Sequence, residues 1–240
     1  MPKHLLSIIF LIFSLTSFSQ TKGGEATYGV TYLDDDNENK KKLKEIYVSM
    51  LPNIETTANE LSFTLKFNTE SSVFYGNVFE GIASSNEVSL AQGMVGYAFK
   101  TWQNKESYYR HNEQRSYIFQ KTKNFEWQIT SESKTIDNFL CYKAIGFETI
   151  TNKKVGRVKK AIIAWFCPEI PYSYGPLHFG GLPGLILELQ TTQAVYGLKS
   201  ITLKDNIEIE KMPNVYLKTE EEILKEEQVF LEEYNKSKNK

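Results

Sequence analysis

Cysteine is scarce in this chain. Only Cys141 and Cys167 occur, and they form neither a CxxC pair nor a cluster with metal-ligand spacing. Beyond the first twenty residues only His111 and His178 remain, with no HxH or HExxH arrangement, so no metal or cofactor is expected. Charge of a single sign is missing too. The formal net charge is −1 with both signs interleaved, which leaves no basic stripe for nucleic acid and no acidic tail for cations. The glycine-rich run lacks Gly-Lys-Ser/Thr and leads into a strand, which excludes a phosphate loop. Ser173 lies in Tyr-Ser-Tyr, without the Gly-x-Ser-x-Gly elbow of an exposed nucleophile. After residue 20 no apolar run is long enough for a transmembrane helix.

Proline is sparse as well, but it is concentrated. Four of the seven prolines fall in Cys167–Gln190, CPEIPYSYGPLHFGGLPGLILELQ, together with Gly175, Gly180, Gly181 and Gly184. Fixed and permissive φ angles at this density specify an irregular path. Leu182-Pro183-Gly184-Leu185 fits a type II turn, with Gly184 at the position that requires φ > 0. A shaped loop feeding a core strand is expected here.

The N-terminus has the three zones of a signal peptide. MPKH is basic, Leu5 to Leu15 is almost entirely apolar, and Ser17-Phe18-Ser19 supplies small residues at a cleavage spacing. Residues 1–20 are therefore expected to be removed on export, leaving 21–240 as one domain. Periplasm, cell envelope or secretion is the expected destination, and Gly23 is expected in a flexible start to the mature chain.

Along that domain, period-two alternation predicts strands at 25–33, 61–67 and 72–79, then at 97–102, 106–110, 115–121 and 124–130. Leu43, Ile46, Tyr47, Met50 and Ile54 recur at helical spacing, predicting an amphipathic helix from Lys40 to about Ile54. Residues 81–96 show no clear period and read as a mobile flap, a binding loop or disorder. Phe139–Glu148 and Val155–Phe166 read as a hairpin around Ile150–Lys154. Strands follow from Leu185 and from about Val195, and IEIEKMPNVYL is a last strand-like piece. Thr219-Glu220-Glu221-Glu222 has the capping-box pattern, and Ile223, Leu224, Phe230, Leu231 and Tyr234 form an apolar stripe behind it. The fold class is β-rich α+β: a single curved antiparallel sheet or half-barrel with an N-terminal and a C-terminal helix.

Several linked motifs carry a resemblance. Ala164-Trp165-Phe166, Glu169-Ile170-Pro171, Gly175-Pro176 and GGLPGLILE follow Cys141-Tyr142-Lys143-Ala144 and Gly156-Arg157 in order and spacing. Together with Lys134 and Ile136, they resemble the GLPGLI family of exported bacterial proteins across roughly residues 127–190. Cys167 departs from the family pattern, where a residue such as Thr is expected. The resemblance implies export and a β-rich fold similar to the curved half-barrels of periplasmic lipid carriers. It implies no biochemical activity, because the family is one of unknown function. It also implies structural roles for Cys141, Arg157, Gly181, Leu182, Pro183 and Gly184.

Trp165, Glu169, Tyr172, Tyr174, His178 and Phe179 are the candidate ligand-binding residues, most of them joining an apolar body to a polar tip. They point to a non-catalytic envelope protein that binds a hydrophobic small molecule or an extended peptide. The alternatives are an envelope hydrolase using Glu169, His178 or Glu188, and a structural partner of an outer-membrane assembly. A hairpin turn near Asn152 pairs residues whose numbers sum to roughly 304, with Cys141 near Ile163 and Cys167 near Asp137. That separates the thiols from each other's partners by on the order of 13 Å. A disulfide needs Cα atoms within roughly 7 Å, so no bridge is expected.

Overall fold

The computed structural model describes residues 23–34, 38–111, 117–122, 125–152, 156–205, 207–219, 221–226, 228–229 and 232. Residues 1–20, and Phe230, Leu231 and Tyr234 of the C-terminal stripe, lie outside them. The elements are β1 (Gly23–Tyr32), α1 (Glu38–Met50), α2 (Ile54–Glu60), β2 (Ser62–Asn68), β3 (Ser72–Gly76) and α3 (Ser85–Met94). They continue with β4 (Lys100–Gln103), β5 (Ser107–His111), β6 (Tyr117–Thr122), β7 (Gln128–Ile136), β8 (Phe139–Asn152) and β9 (Gly156–Cys167). β10 (Leu185–Gln190), β11 (Ala194–Lys204) and β12 (Tyr216–Lys218) complete the set. No helix among the described residues is long and apolar enough to cross a membrane.

The strands form one open sheet in the order β12-β6-β5-β4-β3-β2-β1-β11-β10-β9-β8-β7. All neighbours are antiparallel except β12, which runs parallel to β6, so the sheet is mixed where a purely antiparallel one is predicted. Alternation explains the core strands. In β2, Phe63, Leu65 and Phe67 are fully buried, while Ser62, Lys66 and Asn68 are half-buried. Asn68 then turns the chain, its Oδ1 accepting the N–H groups of Glu70 and Ser71. Gly23 is held at the head of β1 between Asn68 of β2 and Lys204 of β11, so the expected flexible start is ordered.

Three helices fall between β1 and β4, where the sequence predicts one. The first stops at Met50, because Pro52 has no N–H to donate and its ring clashes with the preceding turn. The helix resumes at Ile54 as α2. Ile46 and Met50, placed on the predicted apolar stripe, are exposed. Tyr47 and Ile54 of that stripe do pack on the core, joined by Val48 and Leu51. The expected flap at 81–96 carries α3. Ser84 caps it by accepting the Glu87 N–H, Thr57 of α2 donates to the Glu87 carboxylate at 2.8 Å, and Ala91 and Met94 are buried. Ser84-Ser85-Asn86-Glu87 has the capping-box spacing, a signal that the lack of periodicity masks. After β12, residues 221–226 are helical, and Thr219 and Glu222 exchange the two hydrogen bonds of a capping box.

The β8–β9 hairpin differs in register from the expectation. Tyr142 faces Phe166 and Asn152 faces Gly156, so β8 runs four residues further toward the turn than predicted. The pairing is four residues off the expected one. It places Cys141 opposite Cys167, overturning the separation inferred from the sequence.

The sheet curls. Phe74 on β3 and Tyr196 on β11 are three strand spacings apart, roughly 14 Å on a flat sheet. Their ring centroids nevertheless lie 6.1 Å apart. Phe63 touches both, at 5.6 Å from Phe74 and 5.2 Å from Tyr196, and Tyr97 closes the cluster 5.0 Å from Phe63. Burial keeps the Tyr28 and Tyr196 hydroxyls neutral by pushing both pKa values far above the ordinary range. Each donates to a backbone oxygen, Tyr28 to Ile186 at 2.7 Å and Tyr196 to Val95 at 2.9 Å.

These raised pKa values mean that the folded state binds protons more tightly than the unfolded chain. The stabilisation is complete below about pH 10, the unfolded tyrosine value, and is lost as pH rises beyond it. The unfolding free energy from urea titrations should be level from pH 8 to about 9.5, then fall by up to about 1.4 kcal/mol per group per pH unit. Tyr28→Phe and Tyr196→Phe should each flatten that fall. A wild-type midpoint unchanged at pH 11.5 would contradict the assignment.

Candidate functional site

The chain between β9 and β10 folds over the inner face of the curled sheet. Ile170, Tyr172, Tyr174, Leu177, His178, Phe179 and Leu182 are all buried in or against the core. Irregular chain placed this deep needs partners for its backbone polar groups. Leu185 N–H donates to Ile170 O, Ile186 N–H to Tyr174 O and Gly181 N–H to Ser173 O. Two side chains distant in sequence add to these. Gln103 Nε2 on β4 donates to Gly175 O at 3.2 Å and Leu177 O at 3.3 Å, and Trp127 Nε1 donates to Gly180 O at 2.9 Å. Neither Gln103 nor Trp127 stands out in the sequence.

The bend at Leu182–Leu185 is tighter than a type II turn. Gly184 N–H donates to Leu182 O at 2.8 Å across Pro183, and Leu185 N–H is committed to Ile170. Gly184 has φ 157° rather than the roughly +80° of a type II turn. Its requirement is space, because a Cβ there would lie 2.1 Å from Cys167 O and 2.5 Å from its carbonyl carbon. Gly181 takes the left-handed conformation, with φ 85°.

The candidate residues separate into groups. His178 stacks within 4.4 Å of Phe179 and 4.8 Å of Tyr108, and Phe125 lies 5.7 Å away. Tyr172 packs on Phe67 of β2 at 4.9 Å, and Tyr174 bridges Gly180 within the loop. Burial raises the pKa of Tyr174 to about 12, so its hydroxyl stays protonated. Glu169 is exposed at the start of the loop. Trp165 is half-buried against the edge of the core, in the alternate position of β9 from the buried Ala164 and Phe166. There Lys134 Nζ sits 4.4 Å from its ring and 2.7 Å from Glu188 Oε2. Glu169, His178 and Glu188 are therefore not brought together. Arg157 pairs with Thr151 in the hairpin, and its side chain lies outside the described residues.

His178 and Phe179 line a cavity of about 250 Å³ between β4–β5 and β9, strands that stand well apart in the sheet order. Arg110, Lys160, Thr101 and Ile162 supply its other walls, with Phe99 and Leu177 adding apolar surface. Three side chains are basic or can become so, and none of the described lining residues is a carboxylate. The Arg110 guanidinium lies 5.1 Å from the Phe99 ring centroid and 5.7 Å from that of Tyr108, while its Nε is enclosed without a hydrogen-bond acceptor. Sequence reasoning missed Arg110 and Lys160, because each sits in an ordinary strand far from the loop. No group of His, Cys, Asp and Glu among the described residues could hold a metal ion.

The model of a family described as "Protein of unknown function (Porph_ging)" matches residues 127–188, from Trp127 through β7–β9 and the loop to Glu188. No curated protein matches the chain. Among solved structures, that of an uncharacterized conserved protein from Thermus thermophilus is similar at 8% identity and a TM-score of 0.38. The match covers 83% of this chain and 91% of that one.

The close approach at Gly184 predicts that Gly184→Ala destabilises the fold by about 3 kcal/mol, the upper end of ordinary overpacking, because the obstruction is backbone. Gly93→Ala is the control. Gly93 is an exposed position of α3 with open space around its Cβ site, and the change should stabilise by about 0.5–1 kcal/mol. Urea unfolding of both variants against wild type checks the pair. An unchanged midpoint for Gly184→Ala would remove the packing argument.

Proposed function

We propose that this is a non-catalytic binding protein of the cell envelope, whose curled sheet serves as a half-barrel cradle for a small ligand. The ligand has an apolar body and an anionic head. One observation carries the reading: the cavity joins Phe99, Ile162 and Phe179 to Arg110, Lys160 and His178 without a carboxylate among its described walls. An enclosed guanidinium Nε lacking an acceptor is costly, and a carboxylate or comparable anion would satisfy it. The volume limits the choice. At about 250 Å³ the cavity falls below the usual range for small-molecule pockets, which favours a single ring or short chain over a diacyl lipid or an extended peptide.

The tripartite N-terminus supports export. The run Gly181–Ile186, with the ordered motifs upstream of it, supports placing the chain among GLPGLI-type proteins. The dispersal of Glu169, His178 and Glu188 leaves the hydrolase reading without a convergent site.

Calorimetric titration with octanoate, octanol and octylammonium tests the proposal. Octanoate should bind, and the neutral and cationic analogues should bind at least tenfold more weakly. Arg110→Gln should weaken octanoate binding by about 10- to 100-fold, the equivalent of losing a charged hydrogen bond of roughly 1.5–3 kcal/mol. Equal affinity for octanoate and octanol, or an Arg110→Gln protein that binds octanoate as wild type does, would overturn it.

A further inference from the structure

We propose that Cys141 and Cys167 form a disulfide that fastens the mouth of the 168–184 loop to strand β8. The register Tyr142–Phe166 carries one step outward to Cys141–Cys167. Directly opposed residues of antiparallel strands have Cα atoms about 4.5–5.5 Å apart and side chains on one face. That separation lies inside the range of about 4.4–6.8 Å that disulfides occupy. Both residues are fully buried free thiols. The pair is central to its end of the sheet. Cys141 also faces Lys134 on β7 and Cys167 faces Leu185 on β10, so one bond would tie the middle of four consecutive strands. Cys167 is in addition the floor of the loop's tightest bend. Its carbonyl accepts the Ile170 N–H at 3.2 Å and closes against Gly184.

Oxidation proceeds by thiol–disulfide exchange. With a small-molecule disulfide such as oxidised glutathione, one cysteine thiolate forms a mixed disulfide and releases one glutathione thiolate. The other cysteine gives its proton to solvent, attacks the first cysteine's sulfur and displaces the second glutathione. Two protein S–H bonds are lost and one S–S bond is made, while the oxidant's S–S bond becomes two thiols. Because both sulfurs are buried in the folded chain, this exchange belongs to folding, before the loop settles over the strands.

The test is to refold the full chain from denaturant in a reduced/oxidised glutathione buffer, then alkylate under denaturing conditions without reductant. Bridge formation should appear as a mass two units below the dithiol with no alkyl adduct, and as a peptide pair linking Cys141 to Cys167. The bridged protein should also melt several degrees above its dithiothreitol-treated form, a difference absent from the Cys141→Ser/Cys167→Ser protein. Two alkylated thiols after refolding, or only intermolecular bridges, would overturn the proposal, as would a bridge that leaves the melting temperature unchanged. Because refolding is done in vitro, these outcomes are independent of export and of the ligand cavity.

Discussion

The curl of the sheet depends on aromatic side chains meeting across strands that are not neighbours. Phe63, Phe74, Tyr97 and Tyr196 draw β3 toward β11, and Tyr28 adds a hydrogen bond from β1 to the backbone of β10. A flat sheet would leave these rings standing side by side with their inner ends in water. Curled, they bury one another and bring β4–β5 opposite β9. The cavity and the bed for the loop both follow from that.

The loop completes an enclosure that the sheet leaves open. Its residues fill the trough with Tyr172, Tyr174, Leu177, Phe179 and Leu182, while Gln103 and Trp127 satisfy carbonyl groups that would otherwise be desolvated without partners. The arrangement makes the loop part of the core rather than a surface connection. Its proline and glycine content then reads as a folding instruction: irregular chain can be buried only where its path is fixed closely enough for each polar group to find its partner.

Much of the strand content was legible because alternation is a local signal. Leu61 to Phe67 and Leu185 to Leu189 announce themselves in a few residues. Register was not legible. Thr149, Ile150 and Thr151 continue β8, as β-branched residues favour, but Asn152-Lys153-Lys154 beside them has turn composition and drew the predicted turn too early. An error of four residues preserves every inside/outside assignment, so the hydrophobic pattern could not expose it. The thiols, whose proximity depends on register, were the one place where it showed. The cavity was the least legible feature of all. Arg110, Lys160 and His178 lie on segments about 20 to 70 residues apart, and only the three-dimensional curl brings them to one space.

An open sheet of twelve strands has two free margins, each a template on which another chain could crystallise into a fibre. The two margins are blunted differently. At one, β12 offers only three residues and runs parallel to its neighbour. At the other, the β7–β8 register shifts between Ile129 and Ser133, breaking the ladder, and Glu132 and Lys134 place charge along the same strand. Among the described residues, neither margin offers a long, straight, uncharged rim on which a second copy could extend the sheet.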